Sequence, residues 1–300
     1  MKDRPNIILL MTDQQKFSAS RMGGHPLLVT PGADRLAAEG VSFTGCFVQS
    51  PLCQPSRASM LTGTYPQVNG VMSNSPRGGG ISPNLTQVQE VLKADGYTCG
   101  AVGHFHKSRG FDRGWDWSLD MSESPIREAS GEIWAYSEEM APRSEYGWVG
   151  WWCGASPLPA EASPGELITD AAIGFLDEVG SAPFFLHIPY EDPHPPYMAP
   201  APFDTMYSPD GVVLPPAPNW DRATRRLAQL SKEAGMDLCD AAQVRRVMAM
   251  YYGMISYVDG QFVRLLDHLE RRGVLDNTWI FYVADHGDFT GEHGMMTKAE

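Results

Sequence analysis

PNIILLMTDQQ, Pro5 to Gln15, sets a short apolar run directly before a polar stretch. From Ile7 to Met11 no polar residue interrupts, so the run lacks the alternation of a strand wetted on one face. NIILLM therefore reads as a strand covered on both faces, the environment of a parallel sheet, with TDQQ at its carboxyl end.

Working outward, the same alternation of element types recurs. PGADRLAAEG (31–40) is a helix with proline in its first turn and Gly40 as its stop, and VSFTGCFV (41–48) reads as a strand. A helix begins near Ser56. TQVQEVLKADG (86–96) is a helix, YTCGAVG (97–103) a strand, ELITDAAIGFLDEVG (166–180) a helix and PFFLHIPY (183–190) a strand. A long helix from about Ala241 to Arg272 and a last strand, TWIFYVA (278–284), follow. This βαβα order predicts an α/β fold with a mostly parallel central sheet and helices on both faces. Functional sites in such folds gather at the carboxyl ends of the strands. Two stretches break the rhythm: Trp115 to Pro164 lacks clear periodicity and reads as an irregular insert, and Pro193 to Pro218 is a proline-dense loop. Residues 1–300 are otherwise read as a single domain.

Bulk properties narrow the function classes. With 300 residues and 43% hydrophobic content the chain can bury a large core. A formal net charge of −13 argues against nucleic acid or an anionic membrane as partner, because both select a basic face. No stretch approaches the roughly 18 apolar residues of a membrane span, and the amino-terminal apolar run is too short for a signal peptide, so the expected compartment is the cytoplasm. Cys46, Cys53, Cys99, Cys153 and Cys239 are scattered without a CxxC, which indicates neither a disulfide framework nor a zinc knuckle. No oligomeric state follows from the sequence.

The chemistry concentrates at strand ends. NIILLM delivers Asp13, and TWIFYVA delivers Asp285 and His286 in ADHGD, so two strands present carboxylates at one edge of the sheet. Oxygen-rich ligands with one imidazole suit Ca²⁺, Mg²⁺ or Mn²⁺. In SPLCQPSRASMLTG, Ser50 to Gly63, a helix starting near Ser56 offers free N–H groups to an anion, and Arg57 adds a cationic clamp. Cys53 sits just before that helix. Three readings of it stay open on composition: a packing thiol, a reactive thiolate, or the precursor of another group.

CQPSR, Cys53 to Arg57, followed by ASMLTG, resembles the C-x-P-S-R signature of the sulfatase family, within the alkaline-phosphatase-like superfamily. PNIILLMTDQ, GYTCGAVGHFH, DPHPPY, YYGMISYVDGQFVRLLDHLE and ADHGDFTGEHGMMTK resemble further family elements in family order, from Pro5 to Lys298. The resemblance implies that Cys53 is oxidised by a formylglycine-generating enzyme to an aldehyde, which hydrates to a geminal diol. One hydroxyl attacks the sulfur of a sulfate ester, and the other later expels sulfate. By the same resemblance Asp13, Gln14, Asp285 and His286 bind a divalent cation together with the oxygen at position 53. Arg57 orients the diol, His106 serves as base, and His194 and Lys298 contact the sulfate or protonate the leaving oxygen.

This chain departs from the family pattern at several points. Gln14 stands where many relatives have aspartate, removing a negative charge. With His286 it resembles the branch of choline sulfatases and phosphonate monoester hydrolases, and it implies weaker Ca²⁺ binding with a preference for Mn²⁺ or Mg²⁺. His104 replaces the usual sulfate-binding lysine; Lys107 is near in sequence, although neighbouring strand residues point to opposite faces. Thr64 stands in place of an arginine. The family continues beyond the lysine motif with a small carboxyl-terminal subdomain, which this sequence is expected to lack. The implied reaction is hydrolysis of a small-molecule or carbohydrate sulfate ester. A phosphonate monoester or phosphodiester hydrolase, and an inactive oxyanion-binding domain, are the alternatives. Trp134, Trp148, Trp151 and Trp152 offer either a stacking surface for substrate rings or packing for a long loop.

Overall fold

The computed structural model describes residues 4–75, 77–106, 109–123, 125–144, 147–216 and 219–298. Strands β1 (Asn6–Thr12), β2 (Thr98–Gly103), β3 (Trp117–Asp120), β4 (Phe184–Pro189) and β5 (Thr278–Ala284) form one sheet. Their order is β3-β2-β4-β1-β5 and every pairing is parallel. The run that opens the sequence is thus hydrogen-bonded on both sides, Leu9 lying opposite His187 on one flank and Phe281 on the other.

Among the described residues, the helices of seven or more residues are α1 (Pro31–Glu39), α2 (Cys53–Thr62), α3 (Val88–Ala94), α4 (Ile126–Met140), α5 (Pro164–Glu178), α6 (Arg225–Glu233) and α7 (Ala241–Arg271). Alternate strand residues serve opposite faces of the sheet. Ile8, Leu10, Leu186 and Ile188 pack with Ile168, Ala172 and Leu176 of α5 and with Phe262, Leu265 and Leu269 of α7. Cys99 and Phe185 face the other way, toward Tyr97 and Leu92 of α3. Each such fully buried Leu, Ile or Phe contributes about 1.5–3 kcal/mol relative to exposure. The amino-terminal half of α7 builds a second core with Trp151, Tyr197 and Val212 through Val247, Tyr251 and Ile255.

Three expectations need correction. VSFTGCFV is not a strand: Val41, Phe43 and Phe47 are 79%, 77% and 84% exposed, and no strand among the described residues pairs with it. Apolar composition alone cannot hold an extended segment without a ladder partner. The insert from Trp115 to Pro164 is not irregular throughout, since it holds β3 and the 15-residue α4. The buried face of α4 is Ile126, Ala129, Ser130 and Ser137, which gives little apolar periodicity to read. Helix α2 starts at Cys53, a turn before Ser56, with Pro55 tolerated in its first turn. It stops where Gly63 takes φ 65° and donates its N–H to the Ser59 carbonyl.

Of the tryptophans, Trp151 is a core residue at 2% exposure, so packing accounts for it. Trp152 lies edge-on to Tyr136, and the side chain of Trp148 lies outside the described ones. No helix among the described residues is long and apolar enough to cross a membrane.

Candidate active site

Four of the five strands deliver polar residues at their carboxyl ends. Asp13 and Gln14 follow β1, His104 and His106 follow β2, Glu191 to His194 follow β4, and Asp285 and His286 follow β5. Local backbone geometry aims them. Gly103 has φ 131° and an added Cβ would lie 2.1 Å from the Pro189 carbonyl oxygen, so only glycine lets the chain turn into His104 here. Gln14 and His106 themselves hold positive φ, 70° and 47°.

Arg57, 2% exposed, organises the centre. Its Nη2 donates to Asp13 Oδ2 and its Nε to Asp285 Oδ2, each at 2.8 Å, while Nη1 donates to the His104 carbonyl. With both outer carboxylate oxygens taken, the two Oδ1 atoms face His286 Nε2, each 3.6 Å away. His286 Nδ1 lies 3.0 Å from the Gly287 carbonyl, which favours a tautomer with the proton on Nδ1 and the Nε2 lone pair directed inward. Cys53 Sγ completes the set, 3.1 Å from His286 Nε2 and 3.7 Å from Asp13 Oδ1.

This donor set fits a divalent cation. Ligands at about 2.0–2.6 Å from one ion lie roughly 3–4 Å from one another. Asp13, Cys53, Asp285 and His286, all buried, place their donor atoms within 4.8 Å of one another. The Gln14 side-chain oxygen borders the set and accepts a 2.9 Å hydrogen bond from Lys298 Nζ.

Lys298 fills its three donor positions with Gln14 Oε1, Cys53 Sγ at 2.9 Å and His194 Nε2 at 2.8 Å. His194 Nδ1 meets the Pro195 carbonyl at 2.6 Å, and burial pushes its pKa down to about 3, so the ring is neutral. His106 Nε2 faces Asp13 Oδ2 at 3.6 Å, longer than an ordinary hydrogen bond, and neither ring nitrogen of His104 has a hydrogen-bond partner among the described residues. Burial lowers the pKa of both rings, leaving them neutral at pH 7. Burial alone would raise Asp13, yet His194, Arg57, His106 and Lys298 hold its carboxyl well below the usual range. Burial and the two aspartates push the Cys53 thiol up to about 12, which is unfavourable to a free thiolate.

The structure therefore brings together Asp13, Gln14, Cys53, Arg57, His104, His106, His194, Asp285, His286 and Lys298. Lys107 lies outside the described residues. Three participants had not been singled out from sequence. Asn74, whose Nδ2 is 3.6 Å from Cys53 Sγ, sits in a loop with no readable signal. Asp288 accepts from Gln14 Nε2 at 2.5 Å, and its place within ADHGD was the available clue. Glu191 lies 4.0 Å from His104 Nδ1 and accepts from Trp134 Nε1 at 3.2 Å.

Burial pushes Glu191 up to about 7 and Asp192 up to about 8. Native protein then binds more protons than unfolded chain between about pH 4 and 8, so these groups make stability fall as pH rises through that window. We expect Asp192→Asn to flatten the decline in urea-unfolding free energy between pH 5 and 8; an unchanged slope would contradict the assignment.

Comparisons with known proteins identify the family of the chain. The sulfatase family profile matches residues 5–299. The chain is 29% identical to an arylsulfatase of Clostridium perfringens, over 98% of this chain and 65% of that protein. It is 26% identical to an N-acetylglucosamine-6-O-sulfatase of Bacteroides thetaiotaomicron, over 98% of this chain and 60% of that one. In fold it is similar to the phosphonate monoester hydrolase of Agrobacterium radiobacter, with a TM-score of 0.77 and 24% identity over 99% of this chain and 65% of that one. The chain thus spans 60–65% of the length of these proteins. With the family profile covering nearly all of it, the chain belongs to the sulfatase family.

Proposed function

We propose that residues 1–300 act as one catalytic domain that hydrolyses a sulfate ester to an alcohol and inorganic sulfate. The observation that carries this reading is the convergence of Asp13, Asp285 and His286 on Cys53 at the first turn of α2, beneath Lys298 and His194. Asp13, Gln14, Asp285 and His286 would hold Ca²⁺, Mn²⁺ or Mg²⁺, a Lewis acid that draws charge from the ester oxygens. Formylglycine, made from Cys53 by a separate maturation enzyme, would supply two hydroxyls on one carbon.

The chain's other residues bind and move protons around that point. Arg57 holds both aspartates in register with their inner oxygens turned toward His286 Nε2. Neutral His106, its Nε2 3.6 Å from Asp13 Oδ2, is placed beside the cation site to accept a proton. Lys298, backed by His194, supplies a cation against the sulfate and a proton for the leaving oxygen. The nitrogens of His104, without a hydrogen-bond partner among the described residues, offer a donor to a sulfate oxygen. The names of the relatives favour a carbohydrate sulfate as substrate. A cytoplasmic location fits cysteines that are all unpaired.

A second reading, phosphonate monoester hydrolysis at the same site, is favoured by His104. A neutral ring there replaces a permanent cation, and the likeness in fold to a phosphonate monoester hydrolase points the same way. The deciding experiment compares an aryl sulfate with phenyl phosphonate on protein whose peptide across Cys53 has been shown by mass spectrometry to carry formylglycine. We expect faster turnover of the sulfate. Faster phosphonate turnover selects the second reading, and no turnover of either by converted, metal-loaded protein rejects both.

A further inference from the structure

We propose that Asp288, braced by Tyr197, is a positioning residue that locks the Gln14 amide with its oxygen turned into the cation and sulfate site. The inference rests on the reading of Gln14 as a cation ligand given above.

The backbone of Gln14 is already pinned. Its N–H donates to Asp285 Oδ1 at 2.9 Å, and its carbonyl accepts from Tyr251 Oη at 2.8 Å. What remains free is the side-chain amide, whose two ends have nearly the same shape but opposite polarity. One end meets Lys298 Nζ, which can only donate; the other meets Asp288 Oδ2, which as a carboxylate can only accept. The amide satisfies both in one orientation alone, Nε2 to Asp288 and Oε1 to Lys298. Turning it over would set oxygen against carboxylate and N–H against ammonium, in a residue with no exposure to water.

Asp288 is itself held. Tyr197 Oη donates to Oδ2 at 2.6 Å and the Thr290 N–H donates to Oδ1 at 2.7 Å. Both carboxylate oxygens are therefore used as acceptors. An asparagine at 288 has only one acceptor, so it must turn an N–H group toward the Thr290 N–H or toward the Gln14 and Tyr197 donors. Substituting Asp288→Asn thus sets the Gln14 amide and the Thr290 N–H in competition for one acceptor oxygen, which weakens the lock with almost no change of shape.

The test is a double-mutant cycle read in Mn²⁺ affinity by calorimetry on the whole chain, with thermal unfolding measured alongside. Outer partners of metal ligands usually alter affinity by about 10- to 100-fold, and Asp288→Asn is expected to fall in that range. Gln14→Ala should lose as much, and Asp288→Asn added to Gln14→Ala should lose nothing more. Equal losses in the two backgrounds, or parent-like Mn²⁺ binding by Asp288→Asn, overturns the proposal. Should Asp288→Asn fail to fold, the milder Tyr197→Phe is run through the same cycle, with a smaller loss expected only when Gln14 is present. A parent chain inactive on both ester classes would reject the enzymatic reading while the cycle still decides the role of Asp288.

Discussion

Cys53→Ala is expected to abolish turnover, by on the order of 10⁴-fold or more, while the protein stays folded. The thiol is wholly buried, but alanine removes one atom at the first turn of a helix that is also held by Ser56, Arg57, Ala58 and Leu61. Cys53→Ser separates two explanations of that loss. Serine keeps one hydroxyl beside His286, Lys298 and the paired aspartates, so a sulfuryl group can still be accepted there. A single hydroxyl, once esterified, has no neighbouring hydroxyl to expel the sulfate. The variant should therefore take up about one sulfuryl group per chain and stall, as a mass gain on the peptide across position 53. Steady multiple turnover by Cys53→Ser would show that position 53 needs only one hydroxyl and would sink the formylglycine reading.

The parts of this site that could be read from sequence are those tied to strand ends. Asp13 and Asp285 each follow an apolar run, and strands of a parallel sheet discharge at a common edge, so adjacency in space followed from adjacency to a strand. Cys53, Arg57 and Lys298 were found by motif, since nothing in local periodicity sets them beside those acids. Asn74 and the contact between Asp288 and Gln14 depend on loop paths of low periodicity, which sequence patterns do not encode. The same limit explains the fold-level misses. Segment 41–48 has strand composition without a partner, and α4 buries serine and alanine where a reader looks for a stripe of leucines.

Arg57→Met should produce the largest loss of stability, about 3–5 kcal/mol near neutral pH in the absence of divalent cation. Arg57 is the only guanidinium bridging Asp13 and Asp285 among the described residues, and all three side chains are at 0–2% exposure. Methionine fills much of the space but leaves two buried carboxylates facing one another. The sign of the pH dependence follows from Asp13. Its carboxyl is held well below the usual value, so in the parent it contributes stability that is present above the unfolded pKa of about 4 and lost as pH falls through the folded one. After His194, Arg57 is the next group that holds the carboxyl there, so without it part of that contribution disappears, and the gap between parent and variant should be widest near pH 7 and shrink on acidification. A divalent cation placed between the same carboxylates supplies positive charge of its own. Adding Mn²⁺ should therefore raise the unfolding midpoint of Arg57→Met more than that of the parent, recovering part of a deficit of roughly 6–20 °C. Thermal scans at pH 5 and 7, with and without Mn²⁺, read all of these effects together. An Arg57→Met protein as stable as the parent at pH 7 without cation would mean that the two aspartates are not both charged in the native state, and the proposed cation site would lose its electrostatic basis.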